Sequence, residues 1–239
     1  MTWSIVAHDP GTGAFAVAVT TCAFAVGASC PFVRSGVGAV STQSLTNRYL
    51  GPAILDRMGR GIAPAAAIEE ALAADQGRDL RQVHAVDRHG RSAAWTGRHC
   101  VAWCGAQTAD NVSVAGNMLA GPAVVAATFD ALPQNAARTL PERLLAALDA
   151  GQARGGDRRG RQSAAMLLTT TEDFPDLNLR VDDHGEPLAE LRRLYAIWRG
   201  TWHTRRDWAP SKANPSGLTD LDAIEAVWQR EGFGLRFTR

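Results

Sequence analysis

The sequence predicts an α+β fold, a four-layer αββα sandwich in which two packed antiparallel sheets are flanked by helix pairs. Strand pairs alternate with helix pairs along the chain, whereas a doubly wound parallel sheet would show single βαβ crossovers. Residues 14–19 and 163–168 are almost uninterruptedly apolar, which is typical of strands buried on both faces. With 239 residues, of which 46% are hydrophobic and 21% charged, the chain is long enough to bury such a core.

The first half of the chain predicts a β-hairpin, a third strand, two helices and a second hairpin. Period-two apolar patterns next to turn sequences mark the strands, and apolar stripes at helical spacing mark the helices. The expected strands are residues 3–8, 14–21, 36–43, 80–87 and 91–96, and the expected helices are residues 50–59 and 64–74. Pro64 suits the start of the second helix, where a missing N–H is not needed.

The second half predicts two short strands, a helix pair, two more strands and a final amphipathic helix. The expected strands are residues 100–104, 111–116, 163–170 and 177–181. One helix is expected to begin at Pro122, a second at Pro141, and a third to span residues 187–198. Residues 200–217 have a linker composition, and residues 218–230 predict one short helix. Because this tail is too small to fold alone, the sequence divides into a domain at 1–199 and a tail at 200–239.

Composition and charge exclude several classes of function. The chain has 25 Lys and Arg against 24 Asp and Glu, and this balance argues against a nucleic-acid partner. No apolar run is long enough for a membrane span, and the N-terminus lacks the pattern of a secretory signal, so we expect a cytoplasmic protein. Lys212 is the only lysine, which argues against Schiff-base and pyridoxal-phosphate chemistry, and we expect no cofactor.

The four cysteines are expected to be free thiols rather than disulfides in a cytoplasmic chain. Cys22 and Cys30 lie in an apolar stretch and are expected in the core. Cys100 and Cys104 have C-x3-C spacing without a second ligand pair, so a buried strand is favoured over a metal site there. The sequence thus predicts no metal centre.

Several spaced motifs together resemble a known family. They are Thr-Trp-Ser-Ile-Val-Ala-His-Asp-Pro-Gly-Thr-Gly at 2–13, Ala-Val-Gly at 25–27, Gly-Val-Gly-Ala-Val at 36–40, Thr-Gln at 42–43, Gly-Asn-Met-Leu-Ala-Gly at 116–121, the segment 155–165 and Leu-Arg-Val-Asp-Asp-His at 179–184. Over residues 2–198 the chain is similar to the DUF1028 family of uncharacterised bacterial proteins, which is grouped with the Ntn (N-terminal nucleophile) hydrolases. The resemblance implies the same αββα fold that the order of elements predicts.

The resemblance also implies a nucleophile at the mature N-terminus. Thr2 is the candidate, because Met before a small residue is commonly removed by methionine aminopeptidase. The freed α-amine would be the general base, since an α-amine titrates near ~7.7–8.0. The alternative for Thr2 is the ordinary start of a strand.

Further residues follow from what such a site requires. Asn117, at a strand-to-helix junction, is a candidate oxyanion donor, with a turn or cap residue as its alternative. Asp157 would orient the α-amine or hold an arginine. Thr42 and Gln43 end a strand and are candidates to line the same cleft. Arg158 and Arg161 are candidates to bind a substrate carboxylate, since arginines form paired hydrogen bonds with carboxylates. The alternative for this segment is a solvated Asp–Arg loop.

The sequence thus predicts an amidohydrolase that cleaves a small amide or related C–N bond, with Thr2 as nucleophile. A non-catalytic protein of the same fold, binding a small ligand or a cell-wall fragment, is the alternative. A scaffold whose tryptophan-rich tail docks a partner is a third, and homo-oligomerisation stays open. Fold alone does not decide between them.

Overall fold

The computed structural model describes residues 2–134, 136–202 and 208–232. Contacts divide the chain into two units, Met1–Arg192 and Arg193–Arg239. The strands are β1 Thr2–Asp9, β2 Ala14–Thr21, β3 Pro31–Arg34, β4 Gly38–Ser44, β5 Arg81–Asp87, β6 Ser92–Thr96, β7 Gly105–Ala109, β8 Val112–Asn117, β9 Ser163–Thr169 and β10 Leu177–Val181. The helices are α1 Leu50–Gly59, α2 Pro64–Ala73, α3 Pro122–Gln134, α4 Leu140–Gln152, α5 Pro187–Ile197 and α6 Leu221–Arg230.

The first unit has the predicted four layers. One sheet has the strand order β10-β9-β2-β1-β8-β7, the other has the order β3-β4-β5-β6, and every pairing is antiparallel. The α1–α2 pair packs on the four-stranded sheet, and the α3–α4 pair packs on the six-stranded sheet. The two sheets face each other through contacts that include β1 with β4 and β5 with β8. The predicted αββα sandwich is confirmed.

The space between the sheets is apolar at one end and polar at the other. Val6, Phe15, Val17, Ala39 and Val86 form the apolar part, and all are buried. Towards the start of β1 this apolar packing gives way to hydroxyl, amide and imidazole side chains, which are described below. A second apolar cluster lies between the four-stranded sheet and its helix pair.

One predicted strand is wrong, and two strands of the structure, β3 and β7, have no counterpart among the predicted elements. Residues 100–104 are not a strand, because the backbone carbonyls of Val101 and Trp103 accept bonds from Met118 and Leu119, which follow β8. The strand next to β8 is β7 instead, joined to it by a two-residue turn in which Asn111 has a φ of 68°. β3 has no counterpart in the predicted elements; it is only four residues long and begins with a proline, which is tolerated at the first residue of a strand.

The second unit contains the end of α5 and all of α6. The Asp220 side chain caps α6 by accepting bonds from the N–H groups of Asp222 and Ala223. The Trp208 and Trp228 rings meet edge to face at 5.7 Å between their centroids. The predicted linker at 200–217 includes residues 203–207, and these, like 233–239, lie outside the described residues. The boundary between the units falls within α5, whereas the sequence places it at 199.

Within the described ranges, none of the helices combines the length and the apolar character needed to cross a bilayer.

Candidate active site

Thr2 is the first residue of a central strand and is buried. Its Oγ1 donates a hydrogen bond to Thr21 Oγ1 at 3.2 Å. On the other side of β1, Thr2 pairs in register with Asn117 of β8. Side chains alternate along a strand, and Ser4 contacts the second sheet, so Thr2 also faces the space between the sheets. The predicted nucleophile and Asn117 are therefore brought together.

The neighbouring residue, Trp3, holds the start of β1 in place from the opposite face. Its ring lies against Gly156, where an added Cβ would come within 2.9 Å of the indole, and against Gly151 of α4. Gly156 also has a φ of 54°, which favours glycine. The glycine pair at 155–156 thus serves close packing beneath the site.

A group of buried polar side chains extends from Thr2 into the space between the sheets. We call it the interlayer polar cluster, and its members are Ser4, Ser41, Gln43, Gln82, His84, Ser113 and Asn117. Except for Gln43 and Asn117, none of them is among the predicted site residues. The signal available in the sequence is a polar residue at an inward position of an apolar strand, such as Ser4 or His84.

Ser4 and His84 occupy the middle of this cluster. Ser4 Oγ lies 2.7 Å from Gln43 Oε1, 2.7 Å from His84 Nε2 and 3.0 Å from Ser41 Oγ. The other ring nitrogen, His84 Nδ1, lies 3.0 Å from Ser113 Oγ. Burial lowers the pKa of His84 from 6.5 to about 3, opposed only in part by a hydrogen bond that the ring donates to the Ser113 backbone. The imidazole is therefore neutral at physiological pH.

Within this cluster, the amide side chains of Gln43, Gln82 and Asn117 are hydrogen-bonded to one another. Gln43 Nε2 donates to Gln82 Oε1 at 2.9 Å, and Asn117 Nδ2 donates to the same oxygen at 2.9 Å. Gln82 Nε2 donates to Gly116 O at 2.8 Å. Asn117 Oδ1 is buried and has no hydrogen-bond partner among the described residues. Most buried polar atoms in proteins are paired, so this oxygen stands out.

Asp157 lies close to Thr21 but holds a loop. Its Oδ2 accepts a bond of 2.7 Å from the N–H of Cys22, and its Oδ1 accepts one of 2.9 Å from the N–H of Arg159. The Arg159 guanidinium also pairs with Asp157 Oδ2 at 3.2 Å, and we call these contacts of Asp157 with Cys22 and Arg159 the clasp. The alternative predicted for this segment is a solvated Asp–Arg loop; the ion pair is present, but its carboxylate is buried. The contact with Cys22 places the end of β2, and so Thr21, beside Thr2.

The remaining predicted residues are not all brought to the site. Thr42 and Gln43 lie on opposite faces of β4: Gln43 faces Ser4, whereas Thr42 Oγ1 donates to the Asn47 carbonyl at 3.3 Å. Arg161 pairs with Glu186. Arg158 is exposed, with no ion pair among the residues that the structure describes.

The cysteines and the other polar motifs form no further site. Cys30 and Cys100 are buried, Cys22 and Cys104 are partly buried, and all four are free thiols. Burial raises the pKa of the Cys30 thiol to about 11. The segment 182–184 is a turn, in which His184 Nδ1 accepts from the N–H of Glu186. In the described part of the chain, no three His, Cys, Asp or Glu side chains cluster to hold a metal ion.

Loops at the edge where β1 begins expose large apolar side chains. Phe24, in the loop after β2, is 70% exposed, and Tyr49, in the loop after β4, is 86% exposed. Val101 is also exposed, and its carbonyl accepts from Met118, the residue after Asn117. Single exposed apolar residues are ordinary, but these three lie on loops next to the strand ends that carry Thr21, Gln43 and Asn117. A ligand with an apolar substituent would suit this edge.

Comparison with known proteins places this arrangement in a family. A family model described as "Family of unknown function (DUF1028)" matches residues 2–191. The chain is similar to protein SPO2555 from Silicibacter pomeroyi, a solved structure labelled with the same family, at 31% identity and a TM-score of 0.85 over 92% of this chain and 96% of that chain. It is weakly similar to Anbu (ancestral beta-subunit) from Yersinia bercovieri, at 9% identity and a TM-score of 0.39 over 85% of this chain and 97% of that chain. No curated protein matches the sequence.

Proposed function

The chain belongs to the DUF1028 family, a family of unknown function, and we propose that it is an amidohydrolase of the N-terminal nucleophile type. The observation that carries the proposal is the placement of Thr2. Its hydroxyl is buried at the start of a central strand, bonded to Thr21 and flanked by Asn117. The substrate we propose is a small molecule with an amide or related C–N bond.

The reaction requires that Met1, which lies outside the described residues, is removed. Thr2 Oγ1 then attacks the amide carbonyl carbon, and the Thr2 α-amine accepts the hydroxyl proton. Collapse of the tetrahedral intermediate breaks the C–N bond, and the leaving amine takes up that proton. Water next cleaves the Thr2 ester, releasing a carboxylic acid and restoring the hydroxyl. Before the reaction Thr21 Oγ1 accepts from the Thr2 hydroxyl and positions it; the hydroxyl turns its single proton from Thr21 to the α-amine for the attack.

One observation favours the second candidate, a binding protein without catalysis. Asn117 Nδ2 already donates to Gln82, and the backbone N–H groups of residues 118–120 already donate to carbonyls. The backbone donors are therefore not available to a developing oxyanion as the site stands, and Asn117 Nδ2 is left with one of its two hydrogens. In this second function a small ligand would bind beside Thr2 and Asn117 with no covalent step.

The test begins with the intact mass of the protein from its native host. Loss of one methionine would expose the Thr2 amine. The protein is then treated with a β-lactone, which acylates an activated hydroxyl, and assayed on p-nitroanilides with aromatic acyl groups, chosen because of the exposed Phe24 and Tyr49. Thr2→Val removes only the hydroxyl and should abolish acylation and reduce kcat/KM by about 10³-fold or more. Thr2→Ser, which keeps the hydroxyl, is the matched control and should retain both.

Retention of Met1 would contradict the hydrolase proposal, because an amide nitrogen cannot be the base. A processed protein in which wild type and Thr2→Val are equally unreactive would favour the binding function instead.

A further inference from the structure

The three amides next to Thr2 are locked in one orientation by backbone carbonyls. Gln43 Nε2 donates to Ala115 O at 3.1 Å, and Gln82 Nε2 donates to Gly116 O at 2.8 Å. A carbonyl oxygen can only accept, so neither glutamine amide can be turned over without bringing two oxygens together. Gln82 Oε1 must therefore face Asn117, and only the Nδ2 group of Asn117 can meet it.

The fixed orientation of the glutamine amides determines which polar atom of the Asn117 side chain faces the site. With Nδ2 committed to Gln82, its other polar atom is Oδ1, an acceptor. Asn117 is 1% exposed, and its Oδ1 has no partner in the described parts of the chain. A buried acceptor without a donor lowers the free energy of unfolding, and a bound donor would remove that cost. Its position in register with Thr2 puts it at the candidate active site.

We propose that Asn117 Oδ1 is the acceptor of this site and binds an N–H donor. That donor is either the freed α-ammonium of Thr2 or the amide N–H or ammonium group of the ligand. Gln82 acts through Asn117 as a positioning residue, since it fixes which end of the amide faces Thr2. If the donor is the α-ammonium of Thr2, the proposal rests on the proposed function, because Met1 must be removed. If the donor belongs to a ligand, Met1 need not be removed.

The proposal assigns Asn117 a polarity opposite to that of an oxyanion donor. Turning the amide over to direct Nδ2 fully at the ligand would leave Oδ1 against Gln82 Oε1, two acceptors 2.9 Å apart. The structure favours the arrangement in which Gln82 Oε1 accepts from both Gln43 Nε2 and Asn117 Nδ2.

The central variant is Asn117→Leu, which has similar volume and no polar atoms. Gln82 Oε1 keeps its bond from Gln43 in this variant. Because the variant removes an unpaired buried oxygen, the urea midpoint should equal or exceed that of wild type. A purely structural role for Asn117 predicts a clear decrease instead.

Two readouts distinguish the two sources of the N–H group. The first is the pKa of the Thr2 α-amine in processed protein labelled with ¹⁵N-threonine, followed by NMR; an acceptor beside an ammonium raises this pKa, so Asn117→Leu should lower it by about one unit. The second is binding of benzamide against N,N-dimethylbenzamide, which has no N–H. Wild type should prefer benzamide by about tenfold, and Asn117→Leu should lose the preference.

Asn117→Asp is the conservative variant, because a protonated carboxyl donates to Gln82 and still presents an oxygen. It should retain the benzamide preference or the raised α-amine pKa, and it keeps the test decisive if Asn117→Leu does not fold. Ser113→Ala, at the far end of the interlayer polar cluster, is the matched control and should change neither readout.

A lowered α-amine pKa in Asn117→Leu would assign the donor to Thr2, and a lost benzamide preference with an unchanged pKa would assign it to the ligand. If neither changes, or if Asn117→Asp loses whichever readout wild type shows, the acceptor role is overturned. Retained Met1 would remove the first source alone, so failure of the proposed function stays distinguishable.

Discussion

Acidification should destabilise this protein through His84. The imidazole is fully buried between the two sheets, and both ring nitrogens contact serine hydroxyls. Hydroxyl groups stabilise an added charge far less than water does, so burial holds the folded-state pKa at about 3, against 6.5 for the unfolded chain. Because the folded-state pKa is depressed, the stability is complete above pH 6.5 and is lost as pH falls towards 3.

The size of the effect follows from the two pKa values. Each unit of difference corresponds to about 1.4 kcal/mol, so the total loss approaches about 5 kcal/mol at very low pH. Between pH 7.5 and pH 4.5 the unfolded state takes up a proton and the folded state does not, which costs about 2.5 kcal/mol. With an m-value of about 2–3 kcal/mol/M, the urea midpoint should fall by about 1 M over that interval.

The assay is urea unfolding at pH 7.5, 5.5 and 4.5 for wild type and His84→Gln. The glutamine has no titrating ring, so its midpoint should lose about 1 M less than that of wild type over the interval. Arg81 lowers the pKa of Asp75 to about 2, so the stability that this carboxylate adds is constant above about pH 4 and is lost only below it. It therefore does not interfere between pH 7.5 and pH 4.5. His99→Gln changes an exposed histidine and should keep the loss seen in wild type. Equal losses in wild type and His84→Gln would refute the argument.

Two further predictions concern packing beneath the site. Alanine normally stabilises a helix over glycine by about 1 kcal/mol, but a Cβ at Gly151 would overlap Thr128 Oγ1, so Gly151→Ala should destabilise by about 1–3 kcal/mol in urea unfolding. Gly59→Ala, whose Cβ meets nothing closer than 3.7 Å, should be neutral or stabilising, and an equal gain in both variants would contradict this account. Asp157→Asn should weaken the charge-assisted bond from Cys22 N–H and cost about 1–3 kcal/mol, and amide hydrogen exchange at Cys22 should rise; unchanged exchange would mean that the clasp does not hold the loop.

Local patterns were sufficient for most elements of the first unit. The hairpin strand Ala14–Thr21 and the helix Leu50–Gly59 have the bounds that their apolar spacing and flanking turns predict. Residues 100–104 differ from the prediction because a short apolar run does not by itself make a strand. Their backbone groups instead bond to Met118 and Leu119, and no local pattern records that pairing.

The candidate site was predictable only in part. The period of two along a strand already separates Thr42 from Gln43, since adjacent residues face opposite sides of a sheet. By contrast, the distant partner of Asp157, Cys22, is 135 residues away in the chain, and the partner of Arg161, Glu186, is 25 residues away. Nothing near them in the sequence identifies those partners.

What the sequence determined by itself is the alternation of strand pairs and helix pairs, and hence the αββα layers, because apolar periodicity is a local property that burial selects at each element. Only the tertiary structure decided which polar side chains meet. Strand register sets Asn117 beside Thr2, and the packing of the second sheet sets Gln82 against Asn117. Register and sheet packing depend on pairings between residues far apart in the chain, so the orientation of that amide and the acceptor it presents emerge only once both sheets are in place.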